Sequence, residues 1–203
     1  MRKRVLNLSG GVVLAFCVAA AESPGAVGFV EVRAQPGLQL IANPLQAPDD
    51  RLGLLLPDMK DGMVLYKWVG GAFTTNLFSG GVWGDTNQTL VPGERAFFYN
   101  PATNVIGLTF AGTILSGRLT NPVPAGLSIK SSLMPHGRGL VTTDLSLGLA
   151  PFDNLLQWKG TNYVVFTFLP GGGWFPAEPL IPTGEAFFIN SVRATNWVTN
   201  RPP

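Results

Sequence analysis

Cysteine, histidine and charge are all scarce in this chain of 203 residues. Cysteine occurs once, as Cys17, and histidine once, as His136; charged residues make up 13% of the whole. One cysteine cannot form an intrachain disulfide, and one histidine without thiolate or acidic companions cannot hold a first-row metal. A Ser-His-Asp arrangement would have to be built on His136 alone, in Met134-Pro-His-Gly-Arg138, a loop that reads as solvated. Long apolar runs are also missing. The longest, Gly10 to Ala21, is shorter than the roughly 20 residues a permanent membrane span needs.

The leading residues, MRKRVLNLSGGVVLAFCVAAAESPGA, set three cations before an apolar stretch and then small residues, the order of a secretory signal peptide. Cleavage is expected after Ala21. Phe16 stands where a lipoprotein signal before Cys17 would need a small residue. Arg2, Lys3 and Arg4 leave with the signal, so the 14 basic and 12 acidic residues of the chain become 11 and 12, a net charge of −1. The basic balance belongs to the export segment. Nucleic acid, which calls for a concentrated basic face, and a polybasic membrane contact are thereby excluded. No cofactor is implied. The mature chain loses its only cysteine as well, and must rest on its core without a disulfide.

Glycine (25) and proline (17) recur throughout, alongside 13 phenylalanines. That mixture suits short strands and tight turns and leaves no window for long helices. Phe29 to Arg33 alternates in polarity as a half-buried strand does, and Gly37 turns the chain into Leu38 to Ala42. Met63 to Trp68 and Ala72 to Phe78 flank a Val69-Gly70-Gly71 hairpin. Further strands are expected at Gln88 to Val91, Ala96 to Asn100 and Ile106 to Phe110.

Much of this is written twice. Gly28, Gly37 and Leu40 recur as Gly117, Gly126 and Ile129; Leu65, Trp68 and Phe73 as Leu155, Trp158 and Tyr163; Phe78 and Trp83 as Phe168 and Trp174. GERAFFYN at 93–100 returns as GEAFFIN at 184–190, aligning Ala96-Phe97-Phe98 with Ala186-Phe187-Phe188. The expected architecture is an all-β antiparallel sandwich or barrel built from two tandem pseudo-symmetric repeats. Its parts are a signal peptide (1–21), a short linker (22–27), repeat 1 (28–115), repeat 2 (116–198) and a tail (199–203). Thr120 to Gly126, with two prolines, reads as the seam, and copies this small favour a shared interface.

The elements Leu40-Ile-Ala-Asn-Pro-Leu45, Leu65-Tyr-Lys-Trp68, Gly71-Ala-Phe-Thr74 and Pro92-Gly-Glu-Arg-Ala-Phe-Phe98 resemble a group of bacterial exported proteins. These carry a duplicated "NLIANPL … LYKW … GAFT … PGEGAFF" module. A weaker similarity runs to the "GWNLIGNP … GQGFWV" pattern of surface-associated proteins of gliding-type bacteria. The resemblance implies export and a duplicated β-module, and no activity. The chain departs from the pattern at Arg95, where a small residue is usual, and at Ile129-Lys-Ser-Ser-Leu133, which replaces the Asn-Pro element in the second copy.

Among polar candidates, Glu94 and Glu185 are paired carboxylates of the kind glycosidases use, but as equivalents in two copies they read better as turn residues accepting backbone hydrogen bonds. Asp58-Met-Lys-Asp61-Gly62 and Asp49-Asp50 lack a regular calcium frame and read as turns. Asn87-Gln-Thr89 has the form of a glycosylation acceptor. Trp68 and Trp158 read as core plugs. Trp83 and Trp174, in Gly-rich loops, are the candidate ligand-binding aromatics, although a core role is the favoured reading for them too; Trp197 aligns with Val105 and stands outside the repeated set. The expected function is that of a non-enzymatic exported β-protein, a structural or interaction module of the periplasm, cell surface or extracellular space. A carbohydrate-binding module using the loop tryptophans is the alternative, and a cell-envelope protein or polysaccharide the expected partner. Expression in a bacterial host should yield a mature chain beginning at Glu22, read by intact-mass spectrometry of the exported fraction; a full-length product in the cytoplasm would refute export.

Overall fold

The computed structural model describes residues 26–69, 72–136 and 139–202. Residues 1–21, read above as a signal peptide and containing Cys17, and Gly70-Gly71, read above as part of a hairpin, lie outside the described residues. The fold is all-β and antiparallel. In the first half, β1 (Val27–Ala34) pairs with β7 (Ile106–Thr113) as a ribbon, and β2 (Gly37–Ala42), β6 (Arg95–Asn100), β3 (Val64–Val69), β4 (Ala72–Ser79) and β5 (Val82–Trp83) form a five-stranded sheet in that order. In the second, β8 (Gly117–Val123) pairs with β14 (Thr195–Arg201), and the sheet runs β9 (Gly126–Ser131), β13 (Ala186–Ser191), β10 (Asn154–Trp158), β11 (Tyr163–Phe168) and β12 (Trp174–Phe175). Strand for strand, the pairing order of the first half recurs in the second.

Several boundaries differ from those read in the sequence. Thr120 to Gly126 is not a seam: it is the end of β8 and the turn into β9, and the halves are joined at residues 114–116. Residues 199–201 continue β14 instead of forming a tail. Gln88 to Val91 is no strand; Thr89 makes an isolated bridge to Arg51. One short helix, α1 (Leu52–Leu55), occupies the loop between β2 and β3 and sends Leu52 and Leu55 inward.

Each half is a sandwich of ribbon on sheet, and alternation decides what goes between. In the first, Val32, Ala34, Leu108 and Phe110 of the ribbon meet Ile41, Leu65, Phe78, Ala96 and Phe98 of the sheet. In the second, Val123 and Trp197 meet Leu155, Phe187 and Ile189. Ladder register corrects the alignment of the repeated motif by one residue. Phe97 lies opposite Leu40 and Tyr66, whereas the residue opposite the corresponding Ile129 and Leu156 is Phe188. RAFFYN therefore overlies AFFINS without a gap: Ala96 corresponds to Phe187, Phe97 to Phe188 and Phe98 to Ile189.

That shift moves the core ring by one inward-facing position, so that Phe187 stands in place of Ala96 and Ile189 in place of Phe98, and the tryptophans rearrange around it. Trp83 is 1% exposed, packs edge-on to Phe78 at 5.4 Å and donates its indole N–H to the Leu56 carbonyl at 3.0 Å. Trp174 makes the same edge contact with Phe168, at 5.3 Å, but is half-buried and donates to Thr142 Oγ1 at 3.1 Å. The second core is filled from the ribbon instead. Trp197, 2% exposed, packs near Phe187 at 6.1 Å and donates to the Leu145 carbonyl at 2.6 Å. Leu145 sits in the loop between β9 and β10, as Leu56 sits between β2 and β3. Trp197 faces Asn121 across its ladder as Leu108 faces Val32, so its counterpart is Leu108 and not Val105.

The outer faces of the two sheets meet along a seam. Leu40, Ala42, Phe97 and Ala186 are buried there with Tyr66, Ile129, Trp158 and Phe188 packed around them. Ala42 N–H donates to the Gly184 carbonyl at 2.8 Å, and the Ser131 hydroxyl to the Gly93 carbonyl at 2.8 Å. Gly93 (φ +79°) and Gly184 (φ +82°) open the two motifs in the left-handed region, and a Cβ there would collide with Leu133 and with Val32 of the opposite half. The glycine is required twice over.

Lys130 of β9 is 5% exposed and donates to the Pro122 carbonyl. Burial lowers its pKa to about 8, and the positive charge of Arg95 acts in the same direction.

Two expectations follow. Trp197→Ala should cost about 3–5 kcal/mol in denaturant-melt stability. Between pH 8 and 10.5 the unfolded chain keeps a proton on Lys130 that the folded chain has lost, so stability rises with pH across that window. Lys130→Met should abolish this rise and stabilise the protein at neutral pH, measured as melt midpoints over a pH series.

Candidate functional site

The seam does not close evenly, and its open side is the site. Trp158, at the end of β10, crosses to the first half and donates its indole N–H to the Leu38 carbonyl at 2.7 Å. Phe97 and Tyr163 hold its ring edgewise, at 6.1 and 4.8 Å. Trp68, its counterpart at the end of β3, reaches no such acceptor among the described residues. It packs edge-on to Phe73 at 4.7 Å, and both are about half exposed, at 50% and 48%. Leu127, which stands in β9 where Leu38 stands in β2, is exposed too. Thus neither Trp68 nor Trp158 plugs a sandwich core: one is at the surface and the other belongs to the seam.

Beside Trp158 lies a cleft of about 790 Å³ to which both halves contribute. Glu31, Arg33, Gln35, Leu38 and Gln39 come from β1, β2 and the turn between them; Trp158, Lys159, Thr161, Thr183 and Glu185 come from the β10–β11 hairpin and the turn before β13. Strand alternation explains the first group. Val32 and Ala34 fill the core, so Glu31 and Arg33 must face out. Positive φ at Gly37 turns the chain so that Gln39 reaches back to accept the Gln35 N–H at 3.0 Å.

Glu94 and Glu185 occupy matching turns with different partners. Glu94 accepts the Val91 N–H at 2.9 Å and pairs with Lys67 at 2.7 Å. Glu185 accepts from Gln157 at 2.8 Å, and Gln157 also donates to the Leu180 carbonyl, much as Lys67 does to the Thr89 carbonyl. With an amide in place of the ammonium, burial raises the Glu185 pKa; the Gln157 hydrogen bond and the charge of Lys159 oppose the rise. The two carboxylates belong to separate clusters.

Of the proposed ligand-binding aromatics, Trp83 is a core residue and presents no face to a ligand, and Trp174 is half-buried against Phe168 and Thr142. Neither lines the cleft. A Gly-rich loop places an aromatic near a surface only if the core leaves it there, and Trp83 is drawn inward by the Leu56 carbonyl. His136 is half-buried, its backbone N–H directed to Thr183 Oγ1 at 3.4 Å and its backbone carbonyl accepting from that hydroxyl at 3.0 Å. Asp58 and Asp61 are exposed beside the Gly62 turn. Asp50 is buried as a loop staple, accepting from Gln46, Ala47 and Asn43; burial raises its pKa, against the pull of these bonds. Among the described residues no group of three or more His, Cys, Asp or Glu side chains is placed to hold a metal ion.

The cleft was missed because its residues lie about 120 positions apart and have no motif in common. The one available signal was Trp158, whose Lys159-Gly160-Thr161 hairpin carries polar side chains where the matching turn after Trp68 has Val69-Gly70-Gly71.

Comparison with protein-family models, with curated proteins and with solved structures gave no match.

Proposed function

We propose that this chain is a non-enzymatic exported interaction module of the cell envelope or extracellular space, that it arose by tandem duplication, and that it holds its partner in the cleft between its halves. The cleft carries the proposal: it is a concave surface to which both halves bring side chains, and it is anchored on an indole bonded across the seam. Repetition of the pairing order across fourteen strands supports duplication. The separate hydrogen-bond clusters of Glu94 and Glu185 weigh against a shared hydrolytic role, since joint action needs carboxyls within roughly 5–10 Å of each other over one bond. The export signal read from residues 1–21 supplies the compartment, and a cell-envelope protein or polysaccharide is the kind of partner found there.

A photo-crosslinking amino acid at exposed Thr161, beside the cleft, and at exposed Asn196 on the β14 ribbon tests this in intact producing cells. Adducts should form from Thr161 and not from Asn196. Equal capture from both positions, or none from either, would refute the cleft as the site.

A further inference from the structure

The chemistry of the cleft narrows what it can hold; this step rests on the proposed function above. Its charged side chains are Glu31 and Glu185 against Arg33 and Lys159, two of each sign. A cleft with balanced charges has no field to select a phosphate, a nucleic acid or an acidic polymer. Its apolar surface, to which Pro36, Leu38, Trp158 and Pro182 contribute, is broken up by polar side chains including Gln35, Gln39, Thr161 and Thr183, whereas a lipid or a hydrophobic peptide is suited by a continuous apolar lining. What remains is one indole ring, in edge contact with Phe97 and Tyr163 and with its N–H committed to Leu38, beside amide, hydroxyl and charged hydrogen-bonding groups. Because the indole nitrogen is spent inside the fold, Trp158 offers its ring as an apolar surface only. Its volume lies within the roughly 300–1,000 Å³ of small-molecule sites, too small for a folded partner to enter.

We infer that the cleft binds an uncharged oligosaccharide segment, with Trp158 lying against the C–H face of a sugar ring and Arg33, Gln39, Lys159 and Thr161 hydrogen-bonding its hydroxyls. A pyranose has the matching pattern: an apolar face, a polar rim and no charge. The tryptophan involved is thus a seam residue and neither of the loop tryptophans.

Affinity electrophoresis of the exported protein through gels containing laminarin, xylan or galactomannan tests this, with polygalacturonate as the charged polymer. Retardation by at least one neutral polymer is expected. The Arg33→Ala/Lys159→Ala double variant, both changes being at exposed positions, should weaken it at least tenfold, and Trp158→Ala should abolish it. If Trp158→Ala fails to fold, the double variant still decides. Trp68→Ala, exposed and outside the cleft, should bind as the parent does. No retardation by any neutral polymer, retardation by polygalacturonate alone, or binding indifferent to the double variant would overturn the inference. A protein adduct at Thr161 combined with no neutral-polymer binding would sink the sugar and leave the interaction module standing; absence of both would sink the two together.

Discussion

Each five-stranded sheet has two apolar faces and only one ribbon to cover them, and the seam follows from that mismatch. A Phe-Phe pair in a strand sends one ring to each side, so Phe98 fills the first core while Phe97 is left outside it. Water on the outer face of β2, β6 and β3 would leave Leu40, Phe97 and Tyr66 uncovered, at about 25 cal/mol per Å² of apolar surface. The second sheet presents the same problem at Ile129 and Phe188, and the two faces cover each other. With a single cysteine in the chain no intrachain disulfide can form, and this contact is what holds the two small cores together. The glycines that open the repeated motif let the backbones approach closely enough for it to form.

Within each half the constraint is volume. Two cores built on the same strand order need not keep the same side chain at each place, only fill the same space at native density. The first half does so with Trp83 on the sheet edge and small or medium residues at Ala96 and Leu108; the second places Phe187 and Trp197 at those two positions and lets Trp174 move outward. Both indoles end on a carbonyl in the loop after the second strand, Leu56 or Leu145. That acceptor needs a donor in both halves because a buried carbonyl without one is costly, and the donor can come from either side of the sandwich.

This exchange explains which parts of the protein were legible in its sequence. Strand positions, the all-β class and the low-charge character rest on local alternation and turn chemistry, which a window of a few residues carries. Pairing register and side-chain depth rest on volumes contributed from distant strands. The repeated AFF string aligned by identity hides a one-residue shift that only the ladders Leu40–Phe97 and Ile129–Phe188 reveal. Trp83 could be read either way because its neighbours are glycines, and Trp68 read as the firmer plug because it recurs at a strand end. Trp83 is the buried one and Trp68 is half exposed, since depth is decided by which carbonyl and which opposing face each indole can reach.

The same logic places the site where the repetition fails. A perfectly symmetric seam would bind both indoles to both opposing turns and bury both edges alike. Here Gln157 replaces Lys67 beside the turn acid, the Lys159-Gly160-Thr161 hairpin replaces Val69-Gly70-Gly71, and Ser132-Leu133 replaces Asn43-Pro44. Asn43 is fully buried, donating to the Leu90 carbonyl and accepting the Leu45 N–H; among the described residues the Ser132 hydroxyl bonds only to Met134, within its own loop. The second half thereby gives up one staple of the first and gains polar side chains at its hairpin. Trp158 crosses the seam and Trp68 does not, so the cleft has a rigid wall on one side of the molecule alone. Scaffold and site are in this sense made of the same residues: the contacts that repeat hold the halves together, and those that do not repeat leave a cleft between them.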